Sequence, residues 1–562
     1  MSKMTGAQIL LRMLKEEGVD TIFGYPGGAV LDIYDELYRS DMRHILVRHE
    51  QGAIHAADGY ARVTGKVGVC MVTSGPGATN TVTGIANAYM DSIPVVIFTG
   101  QVPTKLIGND AFQEVDIVGI TRPCTKHNYL VKDIKKLAQI IREAFHIARS
   151  GRPGPVLIDI PKDISNGTTT FKLPDEPELR SYNPTYVPNR RQLTKIVDLI
   201  KAAKKPIIFS GGGVNLSKAH RELTALAQKT KIPVTSTLMG LGGFPGTDPL
   251  WLGMIGMHGT YRANMSVSEC DLMIAVGVRF DDRVTGKIDE FAVNAKIVQI
   301  DIDPTSIQKN IQVAVPVVGD CKITLEILNQ MLENEDLGDL DEIRKPWRDQ
   351  IDAWRKTARL SYKQSERIKP QYVIEKLFEL TRGEAVITTE VGQNQMWAAQ
   401  YYHYPEPGRF ISSGGLGTMG FGFPAAIGAQ VGMPDKTVVD IAGDGSIQMN
   451  IQEMATAVQY KLPVKIVILN NGCLGMVRQW QELFYDRRYS STQFVHLPDF
   501  VKLAEAYGAV GLRATKPEEV EAILKQGLET PNTVIMEFVV EPEECVYPMV
   551  PAGAPITNML LV

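Results

Sequence analysis

Residues 437–450 read TVVDIAGDGSIQMN. The front half is apolar and β-branched, as a strand covered on both faces would be. The back half leads into a helical pattern, and between them Gly443-Asp444-Gly445 puts a carboxylate between two glycines at a strand tip. Glycines let the backbone turn tightly and approach a ligand, and a following helix aims N–H groups at the same point, which suits phosphate. A carboxylate there repels phosphate unless a cation lies between them. Asp444 therefore points to Mg²⁺, which takes one or two protein oxygens together with phosphate oxygens. The strand end VILNNGCLG, one helix and one strand further on, offers Asn471 as a second ligand. The two residues then occupy neighbouring strand tips at the carboxyl edge of a parallel sheet, where such sheets bind ligands. Taken singly, Asp444 reads as a capping residue and the Asn pair as a turn. Together they favour a metal–diphosphate site.

The strand belongs to a chain-long rhythm. VGVCMVTSG, IPVVIFTG, GPVLIDIP, PIIFSGGG, DLMIAVGV, KIVQIDID, AVITTE, VKIVILNN and TVIMEFVV are short apolar runs alternating with helical stretches. That alternation predicts an α/β protein of doubly wound parallel sheets covered by helices. A polar, Pro-rich stretch (166–190) and a charged one (333–370, starting a helix before Pro370) read as linkers. They divide the 562 residues into blocks at 1–165, 190–332 and 370–540, with a tail at 541–562. The outer blocks repeat each other: VGVCMVTSGPGATNTVTGIANAYMDSIPVVIFTG parallels TVVDIAGDGSIQMNIQEMATAVQYKLPVKIVILNN. Gly75 to Pro94 and Gly443 to Pro463 are nearly equal steps, but Pro76 stands where the other copy has Asp444.

Composition narrows the function classes. A net charge of −4 with 22% charged residues gives no reason to expect nucleic acid or a membrane surface. No apolar run approaches the length of a spanning helix. MSKMTGAQILLRMLKEEGVD is an amphipathic helix carrying both charges, not a signal peptide. The six cysteines are scattered without a CxxC pair, so a reducing cytoplasm is the expectation, and the nine histidines lack metal-ligand spacing.

GDG followed by NN at this distance resembles the signature of thiamine diphosphate enzymes. The likeness extends along nearly the whole chain: FGYPGGAVLDIYDEL, RHEQGAIHAADGYAR, SGPGATN, NDAFQEVDIVGITRPCTKHN, GRPGPVLIDIPKD, VGVRFDDRVTGK, GGLGTMGFGFPAAIGA and GMVRQWQELF resemble, in order, the catalytic large subunits of the biosynthetic acetolactate synthases. The resemblance implies three doubly wound domains: an N-terminal thiamine pyrimidine-binding domain, a central FAD-binding domain and a C-terminal thiamine diphosphate and Mg²⁺ domain. It also implies a homodimer or larger assembly with active sites at the chain interface, and a regulatory small subunit.

By the same resemblance, Glu50 in RHEQGA is the glutamate that hydrogen-bonds the aminopyrimidine ring; read alone, it is a first-turn helix acid. Cys473 matches the residue whose backbone carbonyl joins Asp444 and Asn471 on the metal. Gly443 and Gly445 flank that site, and Gly417 and Met419 match the loop holding the aminopyrimidine ring. Gly28, Phe112, Gln113 and Lys162 match residues near the reacting carbon, although core packing for Phe112 and a surface charge for Lys162 are the plainer readings. In the central block, FSGGGV (Gly211, Gly212) is a weak glycine-turn signal, and IDIDP ends a strand in acids suited to ribose hydroxyls. Arg152, Thr237, Leu238, His258, Gly259, Arg279, Asp301 and Asp320 match FAD contacts, and Arg283 an arginine for the acceptor's carboxylate. Met476 and Trp480 stand one turn apart on one helix face. Such a pair ordinarily reads as core, but the family match makes Trp480 a pocket wall for the second substrate.

The implied reaction decarboxylates pyruvate and condenses the hydroxyethyl group with pyruvate or 2-ketobutyrate, giving 2-acetolactate or 2-aceto-2-hydroxybutyrate for valine, leucine and isoleucine synthesis. A pyruvate oxidase using flavin and thiamine is the alternative. Glyoxylate carboligase is disfavoured by Glu50, and a catalytically dead scaffold by the intact Glu50, Asp444 and Asn471.

Overall fold

TVVDIAG folds as the strand Val438–Gly443, buried along nearly its whole length in the middle of a six-stranded parallel sheet. The computed structural model describes residues 3–177 and 179–561. Three such sheets carry the fold, one per block. In the third, the spatial order is Phe410–Ile411, Val386–Thr389, Val438–Gly443, Lys465–Asn470, Val534–Val539 and Val510–Ala514. In the first it is Arg43–Leu46, Thr21–Tyr25, Gly68–Val72, Val95–Gln101, Val156–Pro161 and His127–Leu130. Counted within each sheet, both run 2-1-3-4-6-5, so the repeat read from the sequence is a repeat of topology. The turns at Gly75 and Asp444 follow the same third strand. The central sheet, Trp251–Met254, Val234–Ser236, Pro206–Ser210, Leu272–Val276, Lys296–Asp301 and Val315–Val318, runs 3-2-1-4-5-6. That is the order of dinucleotide-binding doubly wound sheets.

The apolar runs are strands because both their faces are covered: Val69, Cys70, Met71 and Val72 are all buried, as are Ile207, Ile208 and Phe209. The first helix, Gly6–Glu16, starts in a Thr5–Gln8 capping box and buries one stripe (Ile9, Leu10, Met13, Leu14). Two helices lock the outer blocks together. Glu50–Thr64 and Gly422–Gly432 approach so closely that a Cβ on Gly428 would lie 1.8 Å from the Ala56 carbonyl oxygen. A Cβ on Gly59 would lie 2.2 Å from that of Ala425. Only small residues permit this backbone contact, which explains the Gly- and Ala-rich composition of both helices.

Two local expectations are corrected. The segment 333–370 is more than a tether. The helix Leu340–Thr357 docks on the central block, with Trp347 buried and its indole N–H donating to the Pro206 carbonyl at 3.1 Å. The helix expected directly after GDG is also delayed. Two 3₁₀ turns, Ile447–Met449 and Ile451–Glu453, come before Met454–Gln459. Asn450 breaks the run at φ −134°, ψ 27°, where its amide nitrogen donates to the Gly420 carbonyl at 2.6 Å.

Candidate active site

Asp444 lies at the carboxyl end of the third sheet, 1% exposed. Burial pushes its carboxyl up to about 7, opposed by backbone N–H groups of Gly472, Gly445 and Asn471. One carboxylate oxygen, Oδ2, is buried and has no hydrogen-bond partner. A buried acceptor left open is costly unless something fills the gap. Asn471 sits on the neighbouring strand tip; its amide nitrogen donates to Gln393 Oε1 at 3.2 Å, and its Oδ1 faces the Cys473 N–H at 3.3 Å. A Cβ on Gly443 would meet nothing closer than 3.5 Å, and one on Gly472 nothing within 4 Å. One carboxylate, one amide oxygen and open space fit a hard cation carrying phosphate oxygens. Among the described residues no group of three or more His, Cys, Asp or Glu exists that could hold a metal by itself.

The glycines do not act as the sequence suggested. Neither Gly443 nor Gly445 has positive φ; at this edge that conformation belongs to Gly472 (71°) and Gly392 (152°). Gly443 leaves room, and Gly445 is small because a Cβ would press on Leu474 and Phe494 at 2.9–3.0 Å. Gly392 precedes the helix Gln393–Tyr401, whose N-terminus has no side-chain cap and so leaves N–H groups for an anion. Gln393 and Gly392 went unread although TEVGQNQ repeats the strand–glycine–helix pattern.

A second group forms at the equivalent edge of the first sheet. Glu50 opens the helix Glu50–Thr64, and its Oε2 accepts the Asn80 amide at 3.0 Å. Just before it, the Arg48 and His49 N–H groups both donate at 3.0 Å to Glu453 of the third block. Gly75 (φ 59°) lies against the Gln113 backbone, so the loop bearing Phe112 and Gln113 rests on this turn. Lys162 donates to the Gly28 carbonyl at 3.1 Å. Phe112 is 88% exposed, which removes the core-packing reading. Among the described residues, no hydrogen bond or ion pair joins the Glu50 group to Asp444 or Asn471.

The third element is a cavity of about 760 Å³ where all three blocks meet. The central block contributes Gly212, Thr237, Leu238, His258, Arg279, Asp301 and Asp320. The first adds Arg152, whose guanidinium bonds Ser92 Oγ at 2.8 Å and Asp303 at 3.2 Å. Burial holds His258 down near 4, hence neutral, and lifts Asp301 to about 6. Asp320 caps the helix Cys321–Glu333 through the Ile323 N–H, so one of its oxygens is already engaged. Gly211 and Gly259 do not line the cavity. A Cβ on Gly211 would strike the Gly277 carbonyl at 2.1 Å, and one on Gly259 the Gly256 nitrogen at 2.6 Å, so both are needed for close backbone packing. The cavity's size, its acids and its position in a 3-2-1-4-5-6 sheet fit a dinucleotide.

The third block closes the cavity with Gly417, Met419, Met476 and Trp480. The helix Gly475–Phe484 buries Arg478 and Gln479, which bond the Glu544 and Val546 carbonyls at 3.0 Å. Arg478 takes the side of the helix opposite Met476 and Trp480, which line the cavity; Met476 also packs against the hydrophobic core, so the core reading is set aside for Trp480 alone. The Arg283 guanidinium carbon stands 5.9 Å from the centre of the Trp480 ring.

The repeated outer sheets with one carboxylate-bearing edge, joined through a dinucleotide-type sheet, define a thiamine pyrophosphate enzyme. Its N-terminal TPP binding domain profile matches residues 4–120, the central domain 193–328 and the C-terminal TPP binding domain 390–538. The acetolactate synthase isozyme 3 large subunit of Escherichia coli is 51% identical over 569 residues, covering 100% of this chain and 99% of that one. The acetolactate synthase large subunit of Haemophilus influenzae is 50% identical at 100% and 99% coverage, and the acetolactate synthase of Mycobacterium bovis 52% identical at 98% and 91%. The chain belongs to the family of acetolactate synthase large subunits. Among the described residues no helix is long and apolar enough to cross a membrane.

Proposed function

We propose that this chain condenses two 2-keto acids with loss of one CO₂, as an acetolactate synthase of branched-chain amino acid biosynthesis. Pyruvate is the donor, and pyruvate or 2-ketobutyrate the acceptor. Thiamine diphosphate, when bound, supplies the carbon nucleophile and stores the charge left by decarboxylation. Asp444, Asn471 and the Cys473 carbonyl would hold Mg²⁺, which would offset the charge of the diphosphate. Gly417 and Met419, which line the cavity, would support the cofactor's ring. Glu50 exchanges a hydrogen bond with the aminopyrimidine and assists its proton movements. Arg283 takes the acceptor's carboxylate while Trp480 and Met476 pack on its alkyl end. Gln113, Phe112, Lys162 and Gly28 surround the reacting carbon.

Among the described residues no hydrogen bond or ion pair joins the Glu50 group to Asp444 or Asn471, and a second copy of the chain would complete each site. Exposed apolar residues near the two edges support this, among them Leu106 and Phe112 on one side and Leu416, Met449 and Val477 on the other. The residues of the central cavity would hold FAD in a structural role, because the condensation moves no net electrons. A regulatory small subunit and a cytoplasmic setting complete the proposal.

The observation that carries it is the unpartnered, buried oxygen of Asp444, in a chain that also holds a cavity walled by Trp480 and Arg283. The test supplies purified protein with pyruvate, thiamine diphosphate, Mg²⁺ and FAD and follows acetolactate and oxygen together. Acetolactate without oxygen uptake is expected; oxygen consumption matched to pyruvate loss would make the protein a pyruvate oxidase.

A further inference from the structure

The loop Gly414–Gly420 carries Gly417 and Met419, and its middle is open to the cavity: Gly414 to Gly417 are exposed, whereas Ser412, Ser413, Thr418 and Gly420 are buried. Backbone with few contacts of its own must be held at its ends. One end is held by the third block itself, where the buried Glu390 accepts the Gly420 N–H at 2.6 Å and the Phe423 N–H at 3.1 Å. The other is held by residues of the first block. Asp91 accepts the Gly415 N–H at 2.7 Å and the Gly414 N–H at 3.2 Å. Its Oδ2 also takes Arg62 Nη2 at 2.9 Å.

Arg62, with 8% of its side chain exposed, donates to the Ser412 carbonyl at 3.1 Å and lies 5.3 Å above the Phe421 ring, so one guanidinium touches both flanks of the loop. It is held in turn by Asp58, fully buried and 2.5 Å away. Asn87 finishes the clamp: its Oδ1 accepts the Ser413 hydroxyl at 2.6 Å and the Thr418 hydroxyl at 3.2 Å. Ser413 Oγ closes the loop on itself by accepting the Thr418 N–H at 2.8 Å.

A packing contact between blocks would need only apolar surface. Burying two carboxylates and a guanidinium is costly unless every group is paired, and here the pairs converge on one segment. We propose that the Arg62–Asp91 pair is a positioning element that shapes the loop Gly414–Gly420 and thereby sets the affinity of the site for thiamine diphosphate. The first block thus serves the cofactor loop of its own chain, separately from its Glu50 edge. The inference rests on the reading of Gly417 and Met419 as cofactor contacts.

The test uses the full chain without cofactor and then with Mg²⁺ and thiamine diphosphate. In Asp91→Ala, hydrogen–deuterium exchange of the 412–421 peptide should rise severalfold while the 438–443 strand stays protected. The cofactor dissociation constant should rise about tenfold, equal to about 1.4 kcal/mol, with kcat recovering at saturating cofactor. Asp91→Asn keeps the side chain's size but removes the charge that pairs with Arg62, and it carries the test if Asp91→Ala does not fold. Gly417→Val is the control, since a β-branched residue at φ 73° distorts the loop centre. Unchanged loop exchange in both clamp variants overturns the proposal. So does wild-type cofactor affinity in them when Gly417→Val weakens binding. If Gly417→Val also binds normally, the loop is not the cofactor loop, and the reading fails together with the inference.

Discussion

Replacing Trp480 by Leu tests the acceptor pocket directly. The indole is half-buried, lines the cavity beside Met476, faces Arg283 at 5.9 Å and leaves its Nε1 unpartnered. Among the described residues its ring meets one aromatic neighbour, Phe484, edge-on at 6.2 Å. Losing that contact and the cation–π contact costs roughly 1–2 kcal/mol, so the variant should fold. What it removes is a flat apolar wall against the group that distinguishes 2-ketobutyrate from pyruvate. One methylene taken out of water contributes about 0.8 kcal/mol, and a fitted pocket discriminates it by roughly 1–3 kcal/mol. Because Trp480 is only half covered, the lower part of that range applies. A loss of about 1 kcal/mol lowers the preference for 2-ketobutyrate about fivefold. The assay presents both acceptors together and measures the ratio of 2-aceto-2-hydroxybutyrate to 2-acetolactate, with total pyruvate decarboxylation as the internal control. An unchanged ratio in a folded variant would refute the reasoning and leave Trp480 as a structural wall of the cavity.

Three further outcomes are expected. Glu50→Gln should bind thiamine diphosphate normally but slow proton exchange at its reactive carbon by roughly 100-fold or more; wild-type exchange measured by deuterium incorporation would remove Glu50 from that role. Asp444→Ala should raise the Mg²⁺ concentration needed for half-maximal activity by roughly tenfold or more, because it deletes the charged member of a small ligand set; an unchanged metal titration would place the metal elsewhere. Asp159, buried among Thr99 and Gln101, has its carboxyl pushed from 3.8 up to about 7 by burial. Between those values the unfolded chain releases a proton that the folded chain keeps, so Asp159 makes stability fall as pH rises through the window. Above pH 7 that penalty reaches about 4 kcal/mol at most. Urea unfolding at pH 5 and pH 8 should show Asp159→Asn losing less stability than wild type between the two, and equal slopes would contradict it.

Sequence by itself determined what depends on neighbours along the chain. Period and composition identified the central strands, and the paired motifs around Asp444 and Asn471 identified neighbouring strand ends. The parallel between SGPGATN and AGDGSIQ became a shared 2-1-3-4-6-5 topology. Local chemistry was legible because a buried strand needs unbroken apolar residues and a strand tip needs a turn. Tertiary structure decided everything that depends on which surfaces meet. Met476 and Trp480 look like core by spacing. They line the cavity, Met476 while still packing on the core, because the Glu544 carbonyl holds the buried Arg478 on the opposite side of the helix. Gly211 looks like a ligand glycine but is small for the sake of the distant Gly277 carbonyl, and Gly259 for the local turn around Ile255 and Gly256. Asp91 carries no motif at all. Its role at the loop Gly414–Gly420 exists because two Gly- and Ala-rich helices pack backbone to backbone, bringing two blocks hundreds of residues apart into hydrogen-bond range. A charge buried at such a junction takes its meaning from the partners that surround it, and those are set by packing.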